Sequence, residues 1–487
     1  MGEQVVEGQR GWGHRARFLL AVTAARATAA ASRFAGHHAS ALPGLVAERI
    51  DPDILDDLAS RLGPIAIVLG TNGKTTTTRL IATILEGVHG VPPVTNPSGA
   101  NLRQGVITSM LGRRNGAAVK RRLPAVFEVD ELAFAGLVDS LRPSVVVMLN
   151  LLRDQLDRYG EIDYVQARWA GDLARLPLDT VLVTCADDTR IESLAMHAGL
   201  PVRRFGLEQP GSDEHRGSVG KRAVTPTVDA STCPACGAPV RFVIERMQGL
   251  GTWICPSCRT TRQALDLAVA IEQTDRSGWL RLRLRKPSAP SATVRSRARI
   301  RLDGSAGGYD AAAATLAVEA LGVELDAAIG ALDGATPAFG RLEELALGAK
   351  RVVLTLAKNP VSLAQVVESA ATRRPDGLLI GLGDRPADGR DPSWIWDADL
   401  DRFASIAPIT LTGSRVHDLA LRFKYGMTAE GGRVPRLRVD GVVSSALDTA
   451  LESIRPGGTL MILATYTSLL GIRHQLERRG ALPAIPG

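Results

Sequence analysis

Apolar positions fall into three regimes along the chain. In residues 1–58 a polar start gives way to an apolar stretch at residues 18–32 (FLLAVTAARATAAAS), preceded by Arg15 and Arg17. Leu42-Pro43-Gly44 and a short helical run ending near Leu62 follow. The stretch imitates the core of a secretory signal, but Arg26 interrupts it, and it falls short of the about 20 apolar residues that span a bilayer. An amphipathic or surface-docked helix is expected there, in an N-terminal leader without visible chemistry.

From Pro64 onward, short apolar runs alternate with helical patterns, the runs being residues 65–69, 125–129, 144–149 and 180–184. That alternation predicts a mostly parallel, doubly wound sheet. A polar stretch, residues 209–227, leads into a cysteine cluster, after which residues 280–301 alternate like antiparallel strands; together they read as a small module inserted into the larger domain. The chain turns around residues 334–340 (GATPAFG), and a second α/β series follows at residues 351–356, 377–382, 408–412 and 459–464. The expected division is a leader (1–58), a central domain (59–344) with an insertion at about 228–263, and a C-terminal domain (345–487).

Composition narrows the class. A chain of 487 residues holds roughly three domains at about 150 residues each. With 45% hydrophobic and 22% charged residues, it is neither disordered throughout nor a fibrous repeat. The net charge of +7, from 58 basic and 51 acidic residues, is compatible with an anionic membrane surface, a phosphorylated substrate or nucleic acid, and selects none of them. Four of the five cysteines form two C-x2-C pairs, which is metal spacing and not a disulfide framework, and fits a reducing cytoplasm.

Residues 65–69 run directly into Gly70-Thr71-Asn72-Gly73-Lys74-Thr75-Thr76-Thr77 and then a helical pattern. Strand, glycine-rich loop and helix are what phosphate binding requires. Glycines let the backbone amides turn to the phosphates, the helix N-terminus adds positive potential, Lys74 reaches the β/γ oxygens, and the Thr75 hydroxyl can ligate Mg²⁺. The fit to G-x-x-x-x-G-K-[ST] is incomplete, since Val68 stands at the first glycine position. GTNGKTTT itself resembles the ATP-binding loop of the Mur ligase superfamily, ATP-dependent ligases that form amides in peptidoglycan and polyglutamate synthesis.

The strand at residues 125–129 ends in Glu128, Asp130 and Glu131, where a carboxylate is placed to hold Mg²⁺. Glu128 matches the superfamily's metal-binding glutamate; the alternative is three solvated acids in a loop. Asn150 is followed at residues 153–160 by RDQLDRYG, with Gln155 where the superfamily has a histidine that helps hold a second metal. Residues 150–163 (NLLRDQLDRYGEID), 95–102 (TNPSGANL) and 387–396 (ADGRDPSWIW), with the inserted cysteines, look like the MurT family, the ligase subunits of lipid II isoglutaminyl synthase. The resemblance covers about residues 40–475. It implies an α/β fold: a Mur-ligase-like P-loop central domain with an inserted zinc ribbon, and a C-terminal Rossmann-like α/β domain.

Cys233, Cys236, Cys255 and Cys258 have the spacing of a four-thiolate zinc site, and a closed tetrahedron leaves no position for substrate, so the zinc is expected to be structural. Cys185 stands alone after a strand. Arg341 matches an arginine that contacts nucleotide phosphate in Mur ligases, an interdomain salt bridge being the alternative. Lys358 and Asn359 are expected to face the nucleotide cleft. Tyr309-Asp310-Ala311-Ala312-Ala313 replaces the segment where relatives carry paired asparagines for the base, leaving the backbone or Asp310 for that task.

The resemblance implies that ATP and Mg²⁺ activate the α-carboxyl of D-glutamate in the lipid II stem peptide as an acyl phosphate. Ammonia then displaces phosphate, with Lys74 and Arg341 neutralising charge. It also implies a GatD-like glutaminase partner whose histidine is oriented by Asp391, with Asp388 as the alternative. A peripheral contact with the inner membrane surface and no nucleic acid are expected. Two other readings stay open: an amino-acid-adding ligase of the Mur or folylpolyglutamate type, and a nucleotide- or nucleic-acid-binding regulator using Arg241, Phe242, Arg246 and Trp253 beside the cysteines.

Overall fold

In the computed structural model, the described residues are 12–34, 41–96, 100–112, 122–152, 162–208, 231–275 except 248, 279–287, 297–335 except 303, 342–429 except 399, 401, 402, 404, 405 and 407, and 436–481. Three helices open the chain: α1 (Trp12–Phe34), α2 (Leu42–Ile50) and α3 (Ile54–Ala59). A nine-stranded sheet follows, built from β1 (Ile65–Leu69), β2 (Val94–Thr95), β3 (Ala125–Glu128), β4 (Val145–Met148), β5 (Val181–Cys185), β6 (Val202–Leu207), β9 (Leu267–Thr274), β10 (Leu280–Arg285) and β11 (Arg297–Ile300). Its order is β11-β10-β9-β6-β5-β4-β1-β3-β2, with β1 central and parallel to both β3 and β4.

Every residue of β1 is buried, as a strand covered on both faces requires. Ala66 and Val68 pack on one face with Leu80 and Ile84 of α4 (Lys74–His89) and with the alanines of α9 (Gly304–Ala320). Ile65, Ile67 and Leu69 pack on the other, with Phe127, Trp169, and Phe18, Ala21 and Ala25 of α1. The N-terminal helices therefore share a core with the sheet. Among the described residues no helix is long and apolar enough to cross a membrane.

The strands β10 and β11, whose residues 280–301 the sequence reading placed with the cysteine module, do not belong to it, and neither does β9. They extend the main sheet, β9 pairing with β6 in parallel and β10 antiparallel to both β9 and β11. In β10 (LRLRLR) leucines are buried and arginines exposed, the signature of an edge region with one wet face. The module itself is the hairpin of β7 (Arg241–Met247) and β8 (Leu250–Ile254) with the cysteines around it.

A second sheet is formed by β12 (Glu343–Leu347), β13 (Lys350–Leu356), β14 (Gly377–Gly381), β15 (Ile409–Thr412), β16 (Leu437–Val439) and β17 (Thr459–Ala464), in the order β12-β13-β17-β14-β15-β16. All pairs are parallel except β12 with β13. Helices α11 (Pro360–Arg373), α12 (Val416–Ala429), α13 (Val443–Glu452) and α14 (Tyr466–Arg478) cover it. Glu344 on β12 ties the two sheets together, pairing with Arg301 after β11 and with Arg373 of α11 at 2.7 Å.

Candidate functional site

The phosphate loop leaves β1 at the carboxyl edge of the sheet and enters α4 at Lys74. Gly70 and Gly73 have φ of +147° and +89°, and neither tolerates a side chain. A Cβ on Gly70 would lie 2.8 Å from Leu149 Cβ, and one on Gly73 2.3 Å from Asp310 Oδ1. The glycines are thus demanded by backbone conformation and by close approach at once.

Residues outside the motif hold the loop. Asn150 Oδ1 accepts from the Asn72 amide at 2.9 Å and Asn150 Nδ2 donates to the Asn72 carbonyl at 3.0 Å. The Thr71 amide donates to the Asn150 carbonyl at 3.0 Å, and the Thr71 hydroxyl to the Leu152 carbonyl at 3.1 Å. From the second sheet, Asn359 Nδ2 donates to Asn72 Oδ1 at 3.2 Å. Asn359 also caps α11, accepting from the Ser362 amide at 2.8 Å in a reciprocal capping box. Lys358, just before it, is close enough to lower the pKa of the Glu131 carboxyl.

Lys74 Nζ donates to the Gly70 carbonyl and to Glu131 Oε1, the latter at 2.6 Å, both residues being buried. Burial pushes the Glu131 carboxyl above its ordinary value, against the pull of Lys74 and Lys358. The Thr75 hydroxyl donates to Glu128 Oε2 at 2.8 Å. Asn96 fixes Glu128 by bonding both its amide and its carbonyl, at 2.9 and 2.8 Å. Asp310 Oδ1 accepts from the Thr77 hydroxyl at 3.3 Å and presses on Gly73. Asp310 and Thr76 line an open cleft that runs between the sheets to Thr355, Ser362 and Glu368.

This shell suits a magnesium nucleotide. Two of its buried polar atoms have no hydrogen-bond partner among the described residues: Asn72 Nδ2, a donor fit for a phosphate oxygen, and Glu131 Oε2, an acceptor fit for a cation. Thr75 and Glu128 supply the oxygens that a hard divalent ion prefers. Arg341, residues 153–160 with Gln155, and residues 97–99 lie outside the described residues. The roles of Asn150 and Asn96 escaped the sequence reading, as did the pairing of Glu131 with Lys74, although Glu131 was named there among the strand-end carboxylates.

The four cysteines meet as expected from their spacing. Cys233 and Cys258 have their Sγ atoms 3.6 Å apart, as do Cys236 and Cys255, and all four lie within 4.8 Å of one another. Zinc with Zn–S bonds of about 2.3 Å needs sulfurs about 3.8 Å apart. Each pair sits on a tight turn closed by backbone bonds, Gly237 to Cys233 at 2.8 Å and Arg259 to Cys255 at 3.0 Å, with positive φ at Gly237 and Arg259. The Thr260 hydroxyl, with the backbone and the other thiols, pulls Cys258 down to about 6. Cys185 is different: it is fully buried, and burial pushes its thiol well above the ordinary value.

The ribbon is anchored through one aspartate. Trp253 Nε1 donates to the Ala186 carbonyl at 3.1 Å, and the Gly251 amide to the Asp187 carbonyl at 3.0 Å. The Asp187 carboxylate accepts from Arg262 at 2.7 Å and from the Tyr309 hydroxyl at 2.6 Å. Tyr309, at the first position of the segment expected to read the base, instead faces away from the cleft to brace the ribbon.

On the second sheet, Asp391 is exposed in a loop after β14, accepting from the Ser393 amide at 2.9 Å and its hydroxyl at 2.8 Å. Asp388 is buried, with Oδ1 accepting from the Thr467 amide at 2.7 Å and Oδ2 from the Thr467 hydroxyl. One carboxylate is presented outward, and the other locks the loop to α14.

Comparison with known proteins agrees with this architecture. The chain matches the Mur ligase middle domain over residues 68–232, the zinc-binding domain of primase-helicase over 229–264, and the MurT ligase C-terminal domain over 356–469. It is 31% identical over 458 residues to the MurT subunit of lipid II isoglutaminyl synthase (glutamine-hydrolyzing) from Streptococcus pneumoniae, covering 90% of this chain and 93% of that one. The Staphylococcus aureus (strain COL) subunit is 27% identical, covering 95% and 98%. Among solved structures, a pseudomurein peptide ligase type C from Methanothermus fervidus (TM-score 0.61, 17% identity, 87% of this chain and 81% of that one) and MurF from Acinetobacter baumannii (0.61, 17%, 90% and 80%) share the fold. With a Mur ligase fold, a cysteine ribbon and near full-length similarity to curated subunits, the chain belongs to the MurT family of lipid II isoglutaminyl synthase subunits.

Proposed function

We propose that the chain is the ATP-dependent ligase subunit that converts the D-glutamate α-carboxyl of the lipid II stem peptide to an amide, giving D-isoglutamine. The carboxylate oxygen attacks the γ-phosphorus of ATP and ADP leaves; ammonia attacks the acyl carbon, phosphate leaves, and the nitrogen loses a proton. The observation that carries this reading is the Lys74 and Thr75–Glu128 shell, bridged by Asn359 to the second sheet.

Lys74 and the loop amides neutralise and position the phosphates, with Gly70, Thr71, Asn72, Gly73 and Thr76 shaping the cradle. Thr75 and Glu128 would hold Mg²⁺, whose part is to screen charge on the transferring phosphoryl group. Arg341 is assigned to the γ-phosphate, and Lys358 and Asn359 to the nucleotide from the C-terminal side. The four ribbon cysteines would hold zinc in a structural role.

Ammonia has to come from elsewhere. Cys185 is buried with a raised pKa and the other four thiols are gathered at one metal-spaced site, so none is assigned to attack glutamine. A GatD-like glutaminase is the proposed partner, with exposed Asp391 orienting its histidine. The exposed Trp396 on the same loop region is the kind of side chain an interface buries. The pair would work at the cytoplasmic face of the membrane, where lipid II is made.

The test incubates the chain, with and without the glutaminase, with Mg-ATP, lipid II and either ammonium or glutamine, and follows stem-peptide mass and phosphate release. Exchange of hydroxyl for amino with ammonium alone, and with glutamine only when the partner is present, is the expected result. No mass change, or addition of an amino-acid residue, overturns it.

A further inference from the structure

The N-terminal helix pair presents a face that nothing among the described residues covers. Three contacts fix how α1 is rolled. Phe18 is buried beneath the Arg61 guanidinium at 4.0 Å, Arg17 pairs with Asp51 at 2.9 Å and Asp53 at 3.0 Å, and His14 approaches Asp57 at 3.4 Å. Phe18, Ala21 and Ala25 therefore point into the core.

At 3.6 residues per turn, the opposite face carries Leu19, Leu20, Thr23, Ala27, Ala30 and Phe34, all exposed. Leu19 and Leu20 are 63% and 61% exposed and Phe34 97%, a pattern a soluble helix has no reason to keep. The one polar side chain among the six is self-satisfied, the Thr23 hydroxyl donating to the Leu19 carbonyl at 2.8 Å. Along one border of this stripe, at the same helical angle, run exposed Arg15, Arg26 and Arg33. The helix contains no acidic residue. On α2 the exposed positions repeat the chemistry, with Leu42, Leu45 and Arg49 at i, i+3 and i+7.

We propose that α1 and α2 form a docking surface for an anionic lipid bilayer, the apolar stripe entering the acyl boundary and the arginine row lying among the phosphate headgroups. The charge row selects this occupant: a second copy of the chain would bring the same arginines against themselves, whereas anionic headgroups complement them. The long arginine side chains can reach outward while their stems lie on apolar surface. The inference deepens the proposed reaction, since a lipid-linked substrate lies in such a surface, yet it stands on residues that take no part in the nucleotide site.

The experiment is co-sedimentation of the full chain with vesicles of phosphatidylglycerol and phosphatidylcholine, compared with phosphatidylcholine alone. Binding to the anionic vesicles, weakened by salt, is expected. The double variant Leu19→Glu/Leu20→Glu is expected to lower the partition coefficient by about tenfold or more. Arg15→Gln/Arg26→Gln/Arg33→Gln is expected to remove the preference for the anionic vesicles. Thermal unfolding of each variant within a degree or so of the parent shows that the fold is kept. Wild-type binding that is absent, or equal on both vesicles, overturns the proposal, as does unchanged binding by the leucine variant. Self-association of the wild type that the leucine variant abolishes also overturns it, assigning the face to a second copy. Amidation measured in detergent micelles separates the two claims: its failure with vesicle binding intact sinks the reaction and leaves the surface standing.

Discussion

Asn150 holds the phosphate loop from outside it. Replacing it with alanine leaves the buried Asn72 amide and carbonyl without their partners, a loss of about 1–3 kcal/mol. Asn150→Ala is expected to lower kcat/KM for ATP by about tenfold to a hundredfold, chiefly through KM, in a steady-state phosphate-release assay. Asp188, which caps the helix Thr189–His197, gives a pH signature. Burial raises its carboxyl to about 6 in spite of hydrogen bonds from the Leu151, Ile191 and Arg190 amides. Because the folded value exceeds the unfolded one of about 3.9, folding binds a proton; that stabilisation is complete below the unfolded value and is lost as pH rises through about 6. Asp188→Asn buries no charge, so the fall in Tm between about pH 4 and about pH 7 is expected to flatten in scanning fluorimetry. Asn150 stood out in the sequence only as a polar strand end, because the backbone it bonds to is 78 residues away, and Asp188 drew no reading at all.

At the scale of elements, the ribbon hairpin β7–β8 forms a two-stranded sheet of its own, so its fold is expected to depend heavily on the cysteine site. Chelation of zinc is expected to release it, and buried Trp253 reports the event as a red shift of fluorescence that a Trp253→Phe variant lacks. Arg259 adopts φ +63° on the second knuckle, where an L side chain costs about 1–2 kcal/mol. Arg259→Gly is expected to recover about that much and to raise the chelator concentration needed for release. The strand and helix around the phosphate loop were legible because period and glycine spacing coincide in one short stretch. The strand β6 was not, since Arg203 and Arg204 interrupt its apolar run and only pairing with β5 and β9 makes it a strand.

At the scale of the whole molecule, the two sheets meet through Glu344 with Arg301 and Arg373, and through Asn359 with Asn72. The cleft beside the phosphate loop is thereby lined by residues of both sheets. If exposed Asp391 completes a partner's triad, Asp391→Asn in the reconstituted pair is expected to lower the ratio of glutamine-driven to ammonium-driven amidation by about a hundredfold or more. Asp388→Asn acts differently, because its carboxylate holds Thr467 and α14: it is expected to lower Tm and to depress both activities together.

The sequence by itself determined the strand, glycine-rich loop and helix around Lys74, the clustering of the four cysteines and the two α/β series. In each case the chemistry is local, with a few residues at short spacing supplying both conformation and donors. Tertiary structure alone decided that β9–β11 extend the main sheet, since antiparallel alternation is the same whether a strand starts a module or lengthens a sheet. It likewise decided that Tyr309 braces the ribbon through Asp187, and that Asp388 is locked away while Asp391 is presented. Those outcomes turn on partners 79 or more residues distant for Tyr309 and Asp388, and no periodicity along the chain encodes which partner a buried polar group will meet.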